Sequence, residues 1–166
     1  MQTQAFRDAA PDLCCVCVDK AQNGEYRGRL FHYYAAEAQP FRSVLELIVM
    51  MDRLCDQLGY PQASKRLRSF GGMLPAAEKK EVTRLMSREE LVGNKGHMAT
   101  FVVHVTHRQN ATWQGTVVWA EKDQKANFRS AMELLRLMDS AVETSLPESG
   151  SSKDNRPSFT EEQNGL

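Results

Sequence analysis

Residues 14–52 align on residues 101–139 at a constant offset of 87 with no gap, and this internal repeat constrains the fold more than any other feature of the chain. Twelve of the 39 pairs are identical, where unrelated sequence of ordinary composition gives about two or three. Gly28/Gly115, Phe41/Phe128, Arg42/Arg129, Ser43/Ser130, Glu46/Glu133 and Asp52/Asp139 are among them. A repeated unit of this size is expected to fold as one supersecondary element that covers its apolar face with its own twin.

Each copy reads as strand, turn, strand, helix. Leu13–Val18 and Thr100–Thr106 are rich in valine, threonine and cysteine, as strands are. Gln22-Asn23 and Gln109-Asn110 follow, each before a small residue, which suits a hairpin connection. The second strands are Tyr26–Tyr34 and Trp113–Glu121. Alternation places Tyr26, Gly28, Leu30 and His32 on one face, and Trp113, Gly115, Val117 and Trp119 on the matching face. Ser43-Val-Leu-Glu46 and Ser130-Ala-Met-Glu133 are capping boxes, so a helix starts at each. Leu45, Ile48, Met51, Leu54 and Cys55 then recur at helical spacing, as do Met132, Leu135, Met138 and Val142.

These elements predict an α+β domain over 1–147, with repeats at 13–58 and 100–146 joined by a connector, 59–99. The simplest closure is a pseudo-twofold, four-stranded, mainly antiparallel sheet with both repeat helices on one face. Within the connector, Pro75–Met86 favours helix by propensity. The tail, 148–166, is rich in serine, glycine, asparagine and charge, so disorder is expected there.

Lysine and arginine balance aspartate and glutamate at 21 each. No global field therefore favours nucleic acid or an anionic membrane, and general nucleic-acid binding is not expected. No apolar run approaches bilayer length, and residues 1–11 lack the pattern of a secretory signal. A cytoplasmic protein is the expectation. Three of the four cysteines crowd into Cys14-Cys15-Val16-Cys17, which is poor geometry for a disulfide framework.

Polar residues kept in both copies are the candidates for function. Asn23/Asn110 lie in the turns, Arg42/Arg129 precede the helices, and Asp52/Asp139 lie within them. Their structural reading is that they tie turn to helix. Their functional reading is a polar ligand held by Arg108, Asn110, Trp113 and Arg129, because the second copy has Arg108 where the first has Ala21, and Trp113 where it has Tyr26. His104 and His107 lie three apart on a strand and do not converge on a metal. Cys15 and Cys17 share a face but lack a second ligand pair. No phosphate loop, nucleophile elbow or HExxH is present. No catalytic residue, metal or cofactor is assigned.

His107-Arg-Gln-Asn-Ala-Thr-Trp-Gln-Gly115, followed by Phe128-Arg-Ser-Ala-Met-Glu-Leu-Leu135, resembles an element of small uncharacterised bacterial proteins with no established activity. That resemblance implies an intracellular bacterial accessory protein. The leading expectation is a non-enzymatic interaction or regulatory protein of bacterial or mobile-element origin, a class that includes inhibitors of host defence nucleases. Its partner would be another protein, and a homodimer is compatible with it. The alternative is a sensor of a nucleotide-like or anionic small ligand at the Arg/Asn/Trp turn.

Overall fold

Six strands form one sheet in the order β3 (Gln39–Phe41), β2 (Glu25–His32), β1 (Cys14–Gln22), β6 (Ala99–His107), β7 (Gln114–Trp119), β8 (Gln124–Phe128), with every neighbouring pair antiparallel. A computed structural model describes residues 10–63, 68–75, 78–109 and 112–146. A separate two-stranded hairpin pairs β4 (Arg68–Ser69) with β5 (Gly72–Met73). The helices are α1 (Val44–Leu58), α2 (Arg88–Val92) and α3 (Ala131–Ser145). None of the helices among the described residues is long and apolar enough to cross a membrane. The expected disordered tail, 148–166, lies outside the described residues.

The central pair, β1 and β6, sets the frame. Cys15 sits opposite Val102, its own counterpart at offset 87, while Cys14 faces Val103 and Val16 faces Phe101. Counterparts thus exchange places across one point, the register that a twofold axis between the strands requires. Irregularities recur at the same offset, between Val18 and Lys20 and between Val105 and His107. The outer pairings also correspond: Gly28 faces Phe41, and Gly115 faces Phe128. A side chain at either glycine would fall on a backbone carbonyl, of Cys17 or His104, and on the facing phenylalanine ring. Glycine is therefore required where the strand and the aromatic approach so closely.

Four strands were expected, and six are present. The two additional strands, β3 and β8, lie at the sheet edges. Gln39-Pro40-Phe41 contains a proline, which is tolerated at an edge because its missing N–H faces outward. Gln124–Phe128 is polar apart from its alanine and final phenylalanine, so it carries no alternating apolar signal. Phe41 and Phe128 were the legible trace of both strands.

Both long helices pack on one face of the sheet, as the alternation predicted. Leu47, Met51 and Leu54 of α1 and Leu134, Met138 and Val142 of α3 bury against Val16, Leu30, Phe41, Val103, Val117 and Phe128. Ser43 and Ser130 each cap their helix by accepting the backbone N–H three residues on, at 3.1 and 3.0 Å. The glutamates reach one residue further back than a capping box requires. Glu46 accepts from the Arg42 N–H and Glu133 from the Arg129 N–H, at 2.7 and 2.8 Å. The tie from turn to helix is thus made by the arginine backbones.

A second core covers the opposite face, where Leu13, Cys15, Cys17, Phe31, Val102 and Val118 meet Leu91 of α2. The connector helix expected over Pro75–Met86 does not form. Ala76-Ala77 lie outside the described residues, and 78–87 is irregular. Its backbone donors are taken by tertiary acceptors: Lys80 N–H by the Gln57 carbonyl at 3.1 Å, and Leu85 N–H by the Tyr33 carbonyl at 2.7 Å. Arg84 lies 4.3 Å over the Tyr33 ring. These contacts outweigh propensities worth only tenths of a kcal/mol per residue, about 0–0.7 on host–guest scales.

Candidate functional site

Arg108 follows β6 directly, and only 4% of it is exposed. Its Nε donates to the Pro61 carbonyl at 2.8 Å, and its terminal nitrogen donates to Asp56 at 2.7 Å and Asp52 at 3.0 Å. Burial opposes its charge, but the two carboxylates more than offset that and raise its pKa. Arg108 therefore braces the second half of the chain against the end of α1.

Of the residues expected to surround a ligand, Trp113 and Arg129 do not share one cleft with Arg108. Trp113 is buried in the helix-side core beside the sheet. Arg129 carries its side chain 86% exposed, 3.8 Å from Glu133 on the same helix turn. Asn110 lies outside the described residues. A shallow cleft of about 380 Å³ does adjoin Arg108, lined by Tyr60, Pro61, Thr106, His107 and Gln109, but the guanidinium is directed into the α1 carboxylates behind it.

The paired aspartates do opposite-handed versions of one task. Asp52 of the first half accepts from Arg108 of the second. Asp139 of the second half accepts from the Tyr26 hydroxyl of the first. Burial and the neighbouring Asp139 carboxylate push the Tyr26 phenol well above its ordinary pKa.

His104, His107 and Asp19 also have internal partners. His104 Nδ1 lies 2.8 Å from Asp12, whose other oxygen accepts the Val105 N–H at 2.8 Å. Asp12, just before β1 begins, thus takes a β6 backbone donor beyond the last β1–β6 pair. His107 pairs with Thr106 instead, so the two histidines have separate environments. Asp19 accepts from Arg29 through both oxygens and from His97. The Arg29 guanidinium, with help from His97, pulls the Asp19 carboxyl down to about 2. Cys15 and Cys17 have sulfurs 4.0 Å apart within the far-face core, and all four cysteines are free and buried. No group of three or more His, Cys, Asp or Glu residues placed to hold a metal occurs among the described residues.

The segment between residues 68 and 88 exposes apolar side chains amid basic ones. The β4–β5 hairpin is exposed along its length, with Phe70 fully exposed at its turn and Met73 and Leu74 beside it. Val82 and Leu85 of the connector are exposed as well. Between residues 68 and 88 the sequence has five arginines and lysines against two glutamates, in a chain whose net charge is zero. Gly71 and Gly72 lie at the turn of this hairpin, for which the sequence raised no expectation.

No protein-family model matches the chain, and neither a curated protein nor a solved structure matches it.

Proposed function

We propose that the chain is a non-enzymatic interaction module, a cytoplasmic regulatory accessory protein of bacterial or mobile-element origin, that binds a partner protein through residues 68–88. The observation that carries this reading is the Phe70–Leu74 hairpin, which offers three large apolar side chains to solvent. Contiguous exposed apolar surface flanked by charge marks an interaction site more often than a neutral surface. The basic excess around it selects a partner whose pocket is apolar and whose rim is acidic. Inhibition of a host defence enzyme, a nuclease among them, belongs to this class of activity.

The reading includes an origin by internal duplication. The gapless offset of 87 supports it, as does the coincidence of strand register, glycine–phenylalanine pairs and helix caps at that offset. A sensor of anionic ligands at Arg108, Asn110, Trp113 and Arg129 has less support, because Arg108 is neutralised by Asp52 and Asp56.

A photo-crosslinking amino acid placed at Phe70, in the native host, tests the interaction. A discrete adduct is expected at position 70, and none from the same group at Lys125 on the edge strand β8. Raising salt should weaken it. Equal adducts at both positions, or an adduct at Lys125 alone, would overturn the assignment of the hairpin.

A further inference from the structure

One further difference between the halves is explained by neither the frame nor the hairpin. Between α3 and strands β6 to β8 lies a slot of about 210 Å³. Its floor is Phe101, Val117 and Ala141, and Trp119 and Leu137 form its sides. Gln124, Ser140 and Thr144 form the rim.

The slot comes from side-chain exchanges on a shared backbone. At offset 87, Ala141 stands where the first half has Leu54, Val117 where it has Leu30, and Ser140 where it has Arg53. Leu30 and Leu54 are buried, so their bulk fills the equivalent space. The exchange also runs the other way, with Phe101 and Trp119 replacing Cys14 and His32. Small residues open the slot, and aromatic ones wall it.

Trp119 adds a polar requirement. Its indole Nε1–H is shut away from water and has no acceptor among the described residues. The counterpart, His32, has its ring nitrogen satisfied by the Tyr34 N–H at 3.1 Å. A buried donor without an acceptor costs free energy that an incoming acceptor would recover. Reaching that donor takes a swing of the indole toward the slot. At the rim, the Ser140 and Thr144 hydroxyls each donate 2.8 Å back to their own helix, to the Leu137 and Ser140 carbonyls, leaving lone pairs as acceptors. Among the described residues, no lysine, arginine, aspartate or glutamate lines the slot.

We propose that this slot is a binding site for an uncharged, planar heteroaromatic molecule, whose ring stacks against Trp119 and whose acceptor atom takes the indole N–H. Apolar cavities of about 150 Å³ take up benzene, so this one admits a single bicyclic ring. The proposal is independent of the hairpin.

Quinoline and indole are suitable probes, since both are planar fused bicycles and only quinoline offers a ring-nitrogen acceptor. The chain has two tryptophans, and their Nε1–H resonances are separable by ¹⁵N–¹H NMR with Trp119→Phe for assignment. Quinoline is expected to move the Trp119 resonance downfield and to bind several-fold tighter than indole, with Trp113 unmoved. Ala141→Leu, which restores the first half's residue, should weaken quinoline binding at least tenfold. Ser140→Arg does the same at the exposed rim and keeps the test valid if Ala141→Leu misfolds. An unmoved Trp119 resonance at millimolar quinoline overturns the proposal, as does a shift that survives in a folded variant with the slot blocked.

Discussion

Asp52 and Asp139 are the same residue at the same position of two matching helices, yet they hold different partners. Asp52 and its neighbour Asp56 take a buried arginine, while Asp139 takes a tyrosine hydroxyl. The difference lies in what the opposite half presents. Arg108 stands where the first half has Ala21, and Tyr26 where the second has Trp113. Both braces cross between the halves, so each half completes the other with its own chemistry. The backbone and glycine contacts, by contrast, agree in both halves. Positions that set strand approach and helix start are held alike, whereas positions that fill space or cross between halves are free to diverge.

The strongest way to break this comparison is at the glycines. Gly28→Val and Gly115→Val each drive a side chain into a backbone carbonyl and a phenylalanine ring. Each is expected to lose about 3 kcal/mol, at the upper end of overpacking costs. Urea unfolding midpoints check this, and clearly unequal losses would show that the two strand faces are not equivalent.

The arginines sharpen it next. Arg108→Ala leaves two carboxylates and the Pro61 carbonyl without their donor, and should cost about 2–3 kcal/mol because the carboxylates keep partial access to water. Arg129→Ala removes an exposed side chain, while its backbone N–H still meets Glu133. It should change stability by less than about 0.5 kcal/mol. Thermal unfolding of both variants separates a brace from a solvated cation, and a similar loss in the two would refute the distinction.

A further effect appears in acid and belongs to the first half alone. Asp19, paired with Arg29, has Thr106 as its counterpart, which does not titrate. The folded carboxyl is held at about 2, below its unfolded value of about 3.9. Its contribution is therefore complete above the unfolded value and is lost as pH falls toward the folded one. Because the pair is partly exposed, the loss should stay below about 1 kcal/mol. Comparing urea midpoints at pH 5 and pH 3 should show a smaller drop for Asp19→Asn than for the unaltered chain.

Much of the fold was legible because its causes are local. Strand alternation marked Tyr26, Leu30, Trp113 and Val117 as facing the helices, and serine marked each helix start. The gapless offset led to the expectation that the two halves would pair, and β1 does pair with β6. The tertiary structure decided what depends on partners distant in sequence. Edge strands β3 and β8 draw their order from β2 and β7 rather than from their own polar residues. Residues 78–87 gave up helical propensity for acceptors on α1 and in the turn after β2. Arg108 resembled a ligand-binding cation until α1, some fifty residues away, supplied Asp52 and Asp56. A sequence pattern records which face of an element is apolar. Whether a charged side chain meets water or a buried carboxylate depends on which element packs against it, and only the assembled sheet and helices determine that.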